Sequence, residues 1–274
     1  MTIGAATRVF AVIGNPVSHS LSPLMHNGWI ADHRMDAVYV ALPLRSDDPV
    51  AAIRALGQLG FSGANVTTPY KEAAARAADA VDDVVANTLR WEANGALTAF
   101  NTDGAGFVAA LAQTAPDWLA RVRRVLIVGA GGAAIAIGKA LSPAVEAVDF
   151  VNRTQARAVA AAAMLGNGGA LGWQDMERGF GAADLIVQAT SLGLNGSPAP
   201  DWPVAHCQNS AIVADIVYRP LETVLLRKAR ARGLVAIDGL GMLIHQGARA
   251  FEWWFGVRPD IGEAHARLMS ALQR

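Results

Sequence analysis

Lys71 and Asp103 are the two charged side chains whose places in the sequence suggest chemistry. Lys71 follows a strand-like run, residues 63–68, and Pro69 ends that strand and opens a helix. Open α/β sheets bind ligands beyond the carboxyl ends of their strands, which is where Lys71 is expected. Asp103 follows a second strand-like run, residues 96–100, which would place its carboxylate at a fixed position. The simpler alternatives are a solvated lysine and an N-capping aspartate.

A polar cluster, residues 18–23, follows the first predicted strand, residues 9–13. Ser22 and Pro23 are typical of an N-cap and of the first residue of a helix. Ser20 and Ser22 are two residues apart, so in extended backbone both hydroxyls would face one side. Together with a helix N-terminus they would form a small uncharged anion site. Plain capping explains Ser22 equally well.

The stretch 125–134 has the pattern of a dinucleotide site. Four apolar residues run into Gly129-x-Gly131-x-x-Ala134, and helical sequence follows. The first glycine permits a tight turn, the second lets backbone approach a pyrophosphate, and a small third residue lets helix and strand pack. The alternative is a glycine turn that only joins a strand to a helix.

The end of the next predicted strand, residues 147–151, indicates which dinucleotide. An NAD site needs an acid there to accept the ribose 2′-hydroxyl, and this chain has none. Asn152, Arg153 and Thr154 stand in its place, with Arg157 one turn later. Arginine suits a phosphate group, so the sequence favours NADP over NAD, unless these arginines are ordinary surface residues.

Composition narrows the classes of protein. The chain has 274 residues, 53% apolar and 17% charged, enough for two domains with large cores. Lys plus Arg equal Asp plus Glu at 23 each, which argues against nucleic acid or an anionic membrane as a partner. The single cysteine, Cys207, precludes an internal disulfide and a cysteine-rich metal site. Without a signal-peptide pattern or a membrane-length apolar stretch, we expect a cytoplasmic protein with no metal.

The remaining patterns predict the elements that position these residues. We expect helices at 48–59, from 71 to about 85, at 107–113, 221–232, 239–255 and from 261 to the end, and strands at 37–42, 185–189, 212–217 and 234–237. Asn94-Gly95 between two strand-like runs predicts a hairpin. The strands after residue 124 alternate with helices and predict a parallel sheet, with a domain crossing near residue 105.

Seven segments, in order and over nearly the whole chain, resemble the shikimate dehydrogenase family. They are residues 14–27, 65–71, 101–107, 129–134, 152–154, 215–220 and 239–246. The resemblance implies an α/β fold with a substrate domain at 1–104, a Rossmann-type NADP-binding domain at 105–239, and helices at 240–274 that return to the first domain. It also implies the reaction, a reversible reduction of 3-dehydroshikimate to shikimate by NADPH.

The same resemblance implies roles for individual residues. Ser20 and Ser22 match serines that hold the substrate carboxylate, with Tyr218 nearby. The ring hydroxyls are assigned to Thr67, Lys71, Asn87, Asp103 and Gln246, with Lys71 as acid/base and Asp103 as its partner. The cofactor contacts are assigned to Gly129, Ala130, Gly131, Gly132, Ala133, Asn152, Arg153, Thr154, Arg157, Thr190, Gly239 and Met242.

The chain departs from the family pattern in several places. The segment from Lys71 to Asn87 is several residues shorter than expected, Ala99 stands where glycine is frequent, and Gln188 and Leu194 replace an asparagine and a methionine. A dehydrogenase of quinate or of a related cyclic polyol acid therefore remains an alternative. A non-catalytic NADP(H)-binding sensor is a second one, although it would not need paired Lys71 and Asp103. The sequence is compatible with a monomer or a homodimer.

Overall fold

The computed structural model describes residues 3–81 and 83–273. The chain forms two compact units, here called the first and second domains. The first domain extends to Asp103 and resumes at Ile244, and the second comprises Gly104–Leu243. The predicted α/β fold with two domains is confirmed.

The described chain contains eleven strands and eleven α-helices. The strands are β1 (Arg8–Gly14), β2 (Ala37–Pro43), β3 (Phe61–Val66), β4 (Thr88–Trp91), β5 (Leu97–Phe100), β6 (Arg124–Val128), β7 (Ala147–Val151), β8 (Gly168–Leu171), β9 (Leu185–Gln188), β10 (Ile212–Asp215) and β11 (Val235–Ile237). The helices are α1 (Ser22–Asp32), α2 (Pro49–Gln58), α3 (Lys71–Ala77), α4 (Asp103–Thr114), α5 (Trp118–Arg121), α6 (Gly132–Leu141), α7 (Gln155–Ala162), α8 (Met176–Ala182), α9 (Val224–Ala231), α10 (Gly239–Phe255) and α11 (Ile261–Leu272).

The first domain is built on a mixed five-stranded sheet in the order β2-β1-β3-β4-β5. The strands β1, β2 and β3 are parallel, whereas β4 and β5 form the antiparallel hairpin that Asn94-Gly95 predicts. Gly95 has a φ of +83°, which explains why glycine suits this turn. Aromatic side chains from α1, β1 and α10 fill the core beside the sheet, with the Phe10 and Trp254 ring centroids 5.0 Å apart.

The second domain contains a six-stranded sheet in the order β11-β10-β9-β6-β7-β8. Every pair in it is parallel, as predicted. Numbered within the domain from β8 to β11, the order is 3-2-1-4-5-6, the Rossmann order, which reverses direction between β6 and β9. Ligands of open α/β sheets bind at that reversal, so the loops after β6 and β9 are the expected nucleotide site.

Helix α3 is shorter than the sequence pattern predicts. It ends at Ala77 rather than near Val85, because Ala78 adopts extended backbone with ψ 147°. The Asp79 carboxylate then accepts the Leu97 N–H at 2.9 Å, and Ala80 bridges to Thr98. The chain after α3 therefore adds to the edge of the hairpin instead of continuing the helix.

Candidate active site

Lys71 and Asp103 lie together in the first domain and form an ion pair through Lys71 Nζ and Asp103 Oδ2. Lys71 is the first residue of α3, and Asp103 is the first residue of α4. Their side chains are only 13% and 6% exposed. Lys71 is thus not a solvated surface lysine, and the Asp103 carboxylate binds other side chains rather than acting as an N-cap.

Asn87 fixes the carboxylate of this pair. Its Nδ2 donates to Asp103 Oδ1 at 2.8 Å and to Thr102 Oγ1 at 2.9 Å. Its Oδ1 accepts the main-chain N–H of Thr102 at 2.8 Å, which sets the orientation of the amide. Gln246 Oε1 lies 3.3 Å from Asn87 Nδ2. Asn87 and Gln246 therefore lie beside the ion pair, despite the shortened segment that precedes Asn87.

Thr102, Asn65 and Thr88 belong to this hydrogen-bond network but are not among the predicted site residues. Thr102 contacts Asn87 through both its main chain and its hydroxyl. Asn65 donates from Nδ2 to the Asn87 carbonyl at 3.2 Å and to Thr88 Oγ1 at 3.1 Å. Asn65 and Thr88 face each other in the β3–β4 register, so their contact depends on strand pairing. Each lies in or beside a recognised segment, which is the sequence signal that could have pointed to them.

Ser20 and Ser22 lie at the start of α1, but Ser22 is not its N-cap. The cap is Leu21, which makes no side-chain capping bond, and Ser22 is the first helical residue. The segment is a turn rather than extended backbone, since the Ser20 N–H donates to the Val17 carbonyl at 3.0 Å. Ser20 Oγ instead accepts the Ser22 N–H at 3.2 Å. The capping role predicted for Ser22 is therefore wrong, and Ser20 Oγ takes only the first N–H of the helix.

Thr67 comes directly after β3 and is half-buried. Its N–H donates to the Ile13 carbonyl at 2.8 Å, and its carbonyl accepts the Tyr70 N–H at 3.0 Å. These bonds fix the turn that leads to Lys71. Tyr218, the remaining residue assigned to substrate, belongs to the second domain, where it is half-buried after β10.

The glycine loop between β6 and α6 has the geometry of a phosphate-binding turn. Gly129 has a φ of +119°, and a Cβ there would lie 3.0 Å from the Ala189 carbonyl oxygen, so the position requires glycine. Gly131 is the N-cap of α6, and a Cβ on it would meet nothing within 4 Å. Gly132 and Ala133 are the first two residues of α6. The space at Gly131 and the helix N-terminus behind it fit a pyrophosphate.

The residues expected to bind the 2′-phosphate lie after β7. Arg153 is exposed, and Asn152 Nδ2 donates to the Thr154 carbonyl at 3.0 Å. Arg157 reaches the glycine loop, where its Nη2 lies 3.4 Å from the Ala130 carbonyl oxygen. The strand end thus presents two arginines and no carboxylate, which fits a phosphorylated ribose.

The loop after β9 is held by Gln188, which the sequence pattern did not assign to the site. Gln188 Oε1 accepts the N–H and the hydroxyl of Thr190 at 2.5 and 2.6 Å. Gln188 Nε2 donates to the Leu192 carbonyl and to Asp215 Oδ1, each at 3.1 Å. Burial raises the pKa of Asp215 to about 6, against the opposing hydrogen bonds from Val217, Thr223 and Gln188. This network fixes the shape of the loop that carries Thr190.

The last two assigned cofactor residues lie at the start of α10. A Cβ on Gly239 would lie 2.1 Å from the Ile216 carbonyl oxygen, so only glycine fits there. Met242 is buried at 7% exposure.

Across the described residues, no cluster of three or more His, Cys, Asp and Glu could hold a metal ion. Within the same residues, none of the helices combines the length and apolar character needed to span a membrane.

Three stretches match family models. Residues 12–88 match the shikimate dehydrogenase substrate binding domain, residues 110–195 match shikimate / quinate 5-dehydrogenase, and residues 239–269 match the shikimate 5′-dehydrogenase C-terminal domain. The chain is 43% identical to the shikimate dehydrogenase (NADP(+)) of Rhodospirillum rubrum over 273 residues, which cover 96% of each protein.

Solved structures give the same result. The shikimate 5-dehydrogenase of Thermus thermophilus, in complex with NADP(H) and shikimate, matches with a TM-score of 0.85 and 36% identity over 97% of this chain and 100% of that one. The quinate dehydrogenase of Corynebacterium glutamicum, in complex with NAD, matches with a TM-score of 0.87 and 30% identity over 96% and 99%. The chain belongs to the shikimate dehydrogenase family.

Proposed function

We propose that this protein catalyses the reversible, NADPH-dependent reduction of 3-dehydroshikimate to shikimate, in the pathway to chorismate and the aromatic amino acids. The observation that carries the proposal is the buried ion pair between Lys71 and Asp103, fixed from behind by Asn87. Such a pair is costly to bury, so it needs a reason beyond folding. Proton transfer to a polyhydroxylated substrate provides that reason.

Lys71 is the acid/base in this proposal. NADPH, when bound, would supply a hydride to the carbonyl carbon of the substrate, which would leave negative charge on the carbonyl oxygen. The Lys71 ammonium stabilises this charge and donates a proton to the oxygen, and the reverse reaction returns the proton to the amine. Asp103 holds the ammonium in place and accepts a hydrogen bond from a substrate hydroxyl, while Asn87 keeps the carboxylate from rotating.

The other polar residues bind and orient the substrate. We assign the ring hydroxyls to Asn87 and Gln246, which lie within hydrogen-bonding distance of each other beside the ion pair. Thr67 is added to this set by the family resemblance. Ser20 and Ser22 take the carboxylate at the N-terminus of α1, where a partial positive charge favours an anion. Tyr218 is assigned to the substrate by the family resemblance.

The substrate and cofactor can be tested in one assay of nicotinamide absorbance. We expect the purified protein to oxidise shikimate with NADP far faster than with NAD, and to oxidise quinate poorly with either cofactor. Faster turnover of quinate would assign the protein to the quinate branch of the family, which the shortened segment before Asn87 leaves open. No turnover in any of the four combinations, with NADP binding retained, would instead support a sensor.

The preference for NADP is expected to depend on Arg153 and Arg157. Replacing both with Ala should lower kcat/KM for NADP about 10- to 100-fold, because a hydrogen bond to a charged group contributes about 1.5–3 kcal/mol. The value for NAD should stay the same, since NAD lacks the 2′-phosphate. Arg227→Ala, which removes an exposed cation from α9 of the same domain, is the matched control. An equal loss with both cofactors would contradict the assignment.

A cytoplasmic location and a monomer or homodimer also belong to the proposal. A reducing compartment suits a chain whose one cysteine, Cys207, is buried and free. Size-exclusion chromatography with light scattering would determine the oligomeric state.

A further inference from the structure

Tyr39 occupies a buried position behind the proposed substrate site. It lies on β2 with 2% exposure, and its ring stacks on the His26 imidazole with centroids 4.3 Å apart and planes 7° from parallel. Neither ring nitrogen of His26 has a hydrogen-bond partner among the described residues, so His26 supports the tyrosine only through its face. The ring is thus held by packing, which leaves the hydroxyl free to make other bonds.

The Tyr39 hydroxyl holds the oxygen end of the Asn65 amide. The nitrogen end must face the Asn87 carbonyl, which accepts hydrogen bonds but cannot donate them, and Asn65 Nδ2 donates there at 3.2 Å and to Thr88 Oγ1 at 3.1 Å. Asn65 Oδ1 then points the other way and accepts the Tyr39 hydroxyl at 2.7 Å. Asn65 is itself only 6% exposed, so an incorrect orientation would leave buried polar atoms without partners.

The chain of hydrogen bonds continues from Asn65 to the ion pair. Thr88 Oγ1 accepts from Asn65 Nδ2 and donates to Asn87 Oδ1 at 3.0 Å. Asn87 Nδ2 in turn donates to Asp103 Oδ1 at 2.8 Å. A series of buried donors and acceptors therefore links Tyr39 to the carboxylate that holds Lys71.

Burial keeps the Tyr39 hydroxyl protonated. It raises the pKa of Tyr39 well above the usual value of 10, and a side-chain hydrogen bond from Ser22 opposes this only in part. The hydroxyl is therefore available as the donor to Asn65 Oδ1.

We propose that Tyr39 is a positioning residue for the reaction, and that its hydroxyl acts through Asn65 and Thr88 to fix Asn87 and Asp103. The inference rests on the proposed function, because the groups that Tyr39 positions are those assigned to shikimate. Tyr39 touches neither Lys71 nor Asp103 itself. It contributes by holding the side chains that contact the substrate in a fixed position.

Tyr39→Phe removes the hydroxyl and keeps the stacked ring. We expect kcat with shikimate to fall about 10-fold. A displacement of about 1 Å in a reacting group can lower the rate about 100-fold, and loss of the Tyr39 hydroxyl should displace Asn87 and Asp103 by less. We also expect KM for shikimate to rise and KM for NADP to stay constant. Steady-state kinetics with each substrate varied in turn measures all three values.

Trp29→Phe is the matched control for stability. It removes another buried donor from the same aromatic cluster, since Trp29 Nε1 donates to the Asp260 carbonyl at 2.8 Å and its ring lies 5.3 Å from His26. It does not touch Asn65. We expect a lower melting temperature with unchanged kcat and KM, and the same kinetic loss in both variants would reduce Tyr39 to a structural role.

A double-mutant cycle with Asn65→Ala tests the route. If Tyr39 acts on kcat through Asn65, Tyr39→Phe should lower kcat no further in the Asn65→Ala background. Additive losses, or a Tyr39→Phe variant with wild-type kinetics, would overturn the inference. If Tyr39→Phe does not fold, Thr88→Val can replace it. This change removes the hydroxyl that links Asn65 to Asn87, and it should lower kcat about as much. A wild-type protein inactive on shikimate would refute the proposed function instead, so the two failures are distinguishable.

Discussion

Lys71→Ala is expected to lower kcat by at least about 100-fold and by as much as about 10,000-fold, the range in which general acid/base groups contribute. The ammonium both stabilises the charge that develops on the carbonyl oxygen and supplies the proton, and alanine can do neither. Substrate affinity should weaken less, because Asn87, Gln246 and the serines remain. Pre-steady-state and steady-state rates with saturating shikimate and NADP measure the loss directly.

Two further variants separate the roles of charge and proton transfer. Lys71→Arg keeps a cation next to Asp103, but a guanidinium does not release its proton in proteins, so kcat should stay low. Arg76→Ala removes an exposed cation from the same helix, α3, and should leave kcat unchanged. Near-normal turnover in Lys71→Ala would contradict the assignment. Normal turnover in Lys71→Arg would mean that Lys71 acts only through its positive charge and does not transfer the proton.

Removing Lys71 also leaves the Asp103 carboxylate without its cation in a buried place, which can cost about 3–5 kcal/mol of stability. The carboxylate keeps its hydrogen bond from Asn87, so the first domain should still fold. A melting curve of each variant, recorded under the conditions of the kinetic assay, shows whether an inactive variant is folded.

The places of Lys71 and Asp103 could be predicted because each follows a local pattern. Lys71 comes five residues after β3, with Pro69 between them, and Asp103 comes three residues after β5. A short stretch of sequence is enough to recognise such a pattern. That the two side chains meet depends on how β3, β4 and β5 pair, and the sequence alone indicated this only through the resemblance to a family.

The residues behind the ion pair could not be predicted, because their contacts cross the sheet. Tyr39, Asn65 and Thr88 lie on β2, β3 and β4, and strand order places β1 between the first two. A single sequence gives neither that order nor the register that sets Asn65 opposite Thr88. Each residue taken alone looks like an ordinary polar residue of a strand.

The fold was predictable where a pattern was strong. The β6–α6–β7 unit and helices α10 and α11 follow clear apolar periodicity, and the structure confirms them. Strand β8 was missed because its sequence, Gly-Gly-Ala-Leu, has neither alternation nor β-branched residues. The end of α3 was missed because Asp79 and Ala80 pair with the distant hairpin, and such tertiary pairing overrides the helix-forming alanines.

The second prediction concerns His26 and the dependence of stability on pH. It lies on α1 with no exposed surface, among the rings of Trp29, Tyr39, Phe251 and Trp254. No charged group is among these ring contacts, and burial lowers the pKa of His26 from 6.5 to about 3. The folded protein therefore keeps the imidazole neutral over a range of pH in which the unfolded chain protonates it.

This difference predicts that the first domain loses stability in mild acid. Between pH 6.5 and 3 the unfolded chain binds a proton at His26 that the folded chain does not. The contribution of His26 to the free energy of unfolding is therefore fully present above pH 6.5 and falls as the pH falls. One pKa unit corresponds to about 1.4 kcal/mol, so the loss from pH 7 to pH 4 should be about 3 kcal/mol. Asp215, with its raised pKa, acts in the opposite direction, but it lies in the second domain.

His26→Phe isolates the effect, because it fills the same aromatic site without a titratable group and breaks no hydrogen bond. Urea unfolding followed by tryptophan fluorescence, at several pH values from 4 to 8, should show the variant gaining stability relative to wild type as the pH falls. The contribution of Asp215 cancels in this difference. His265→Gln, which removes an exposed histidine from α11 of the same domain, is the matched control. Parallel curves for wild type and His26→Phe would mean that His26 takes up a proton in the folded protein, and the aromatic cluster would then have to admit water.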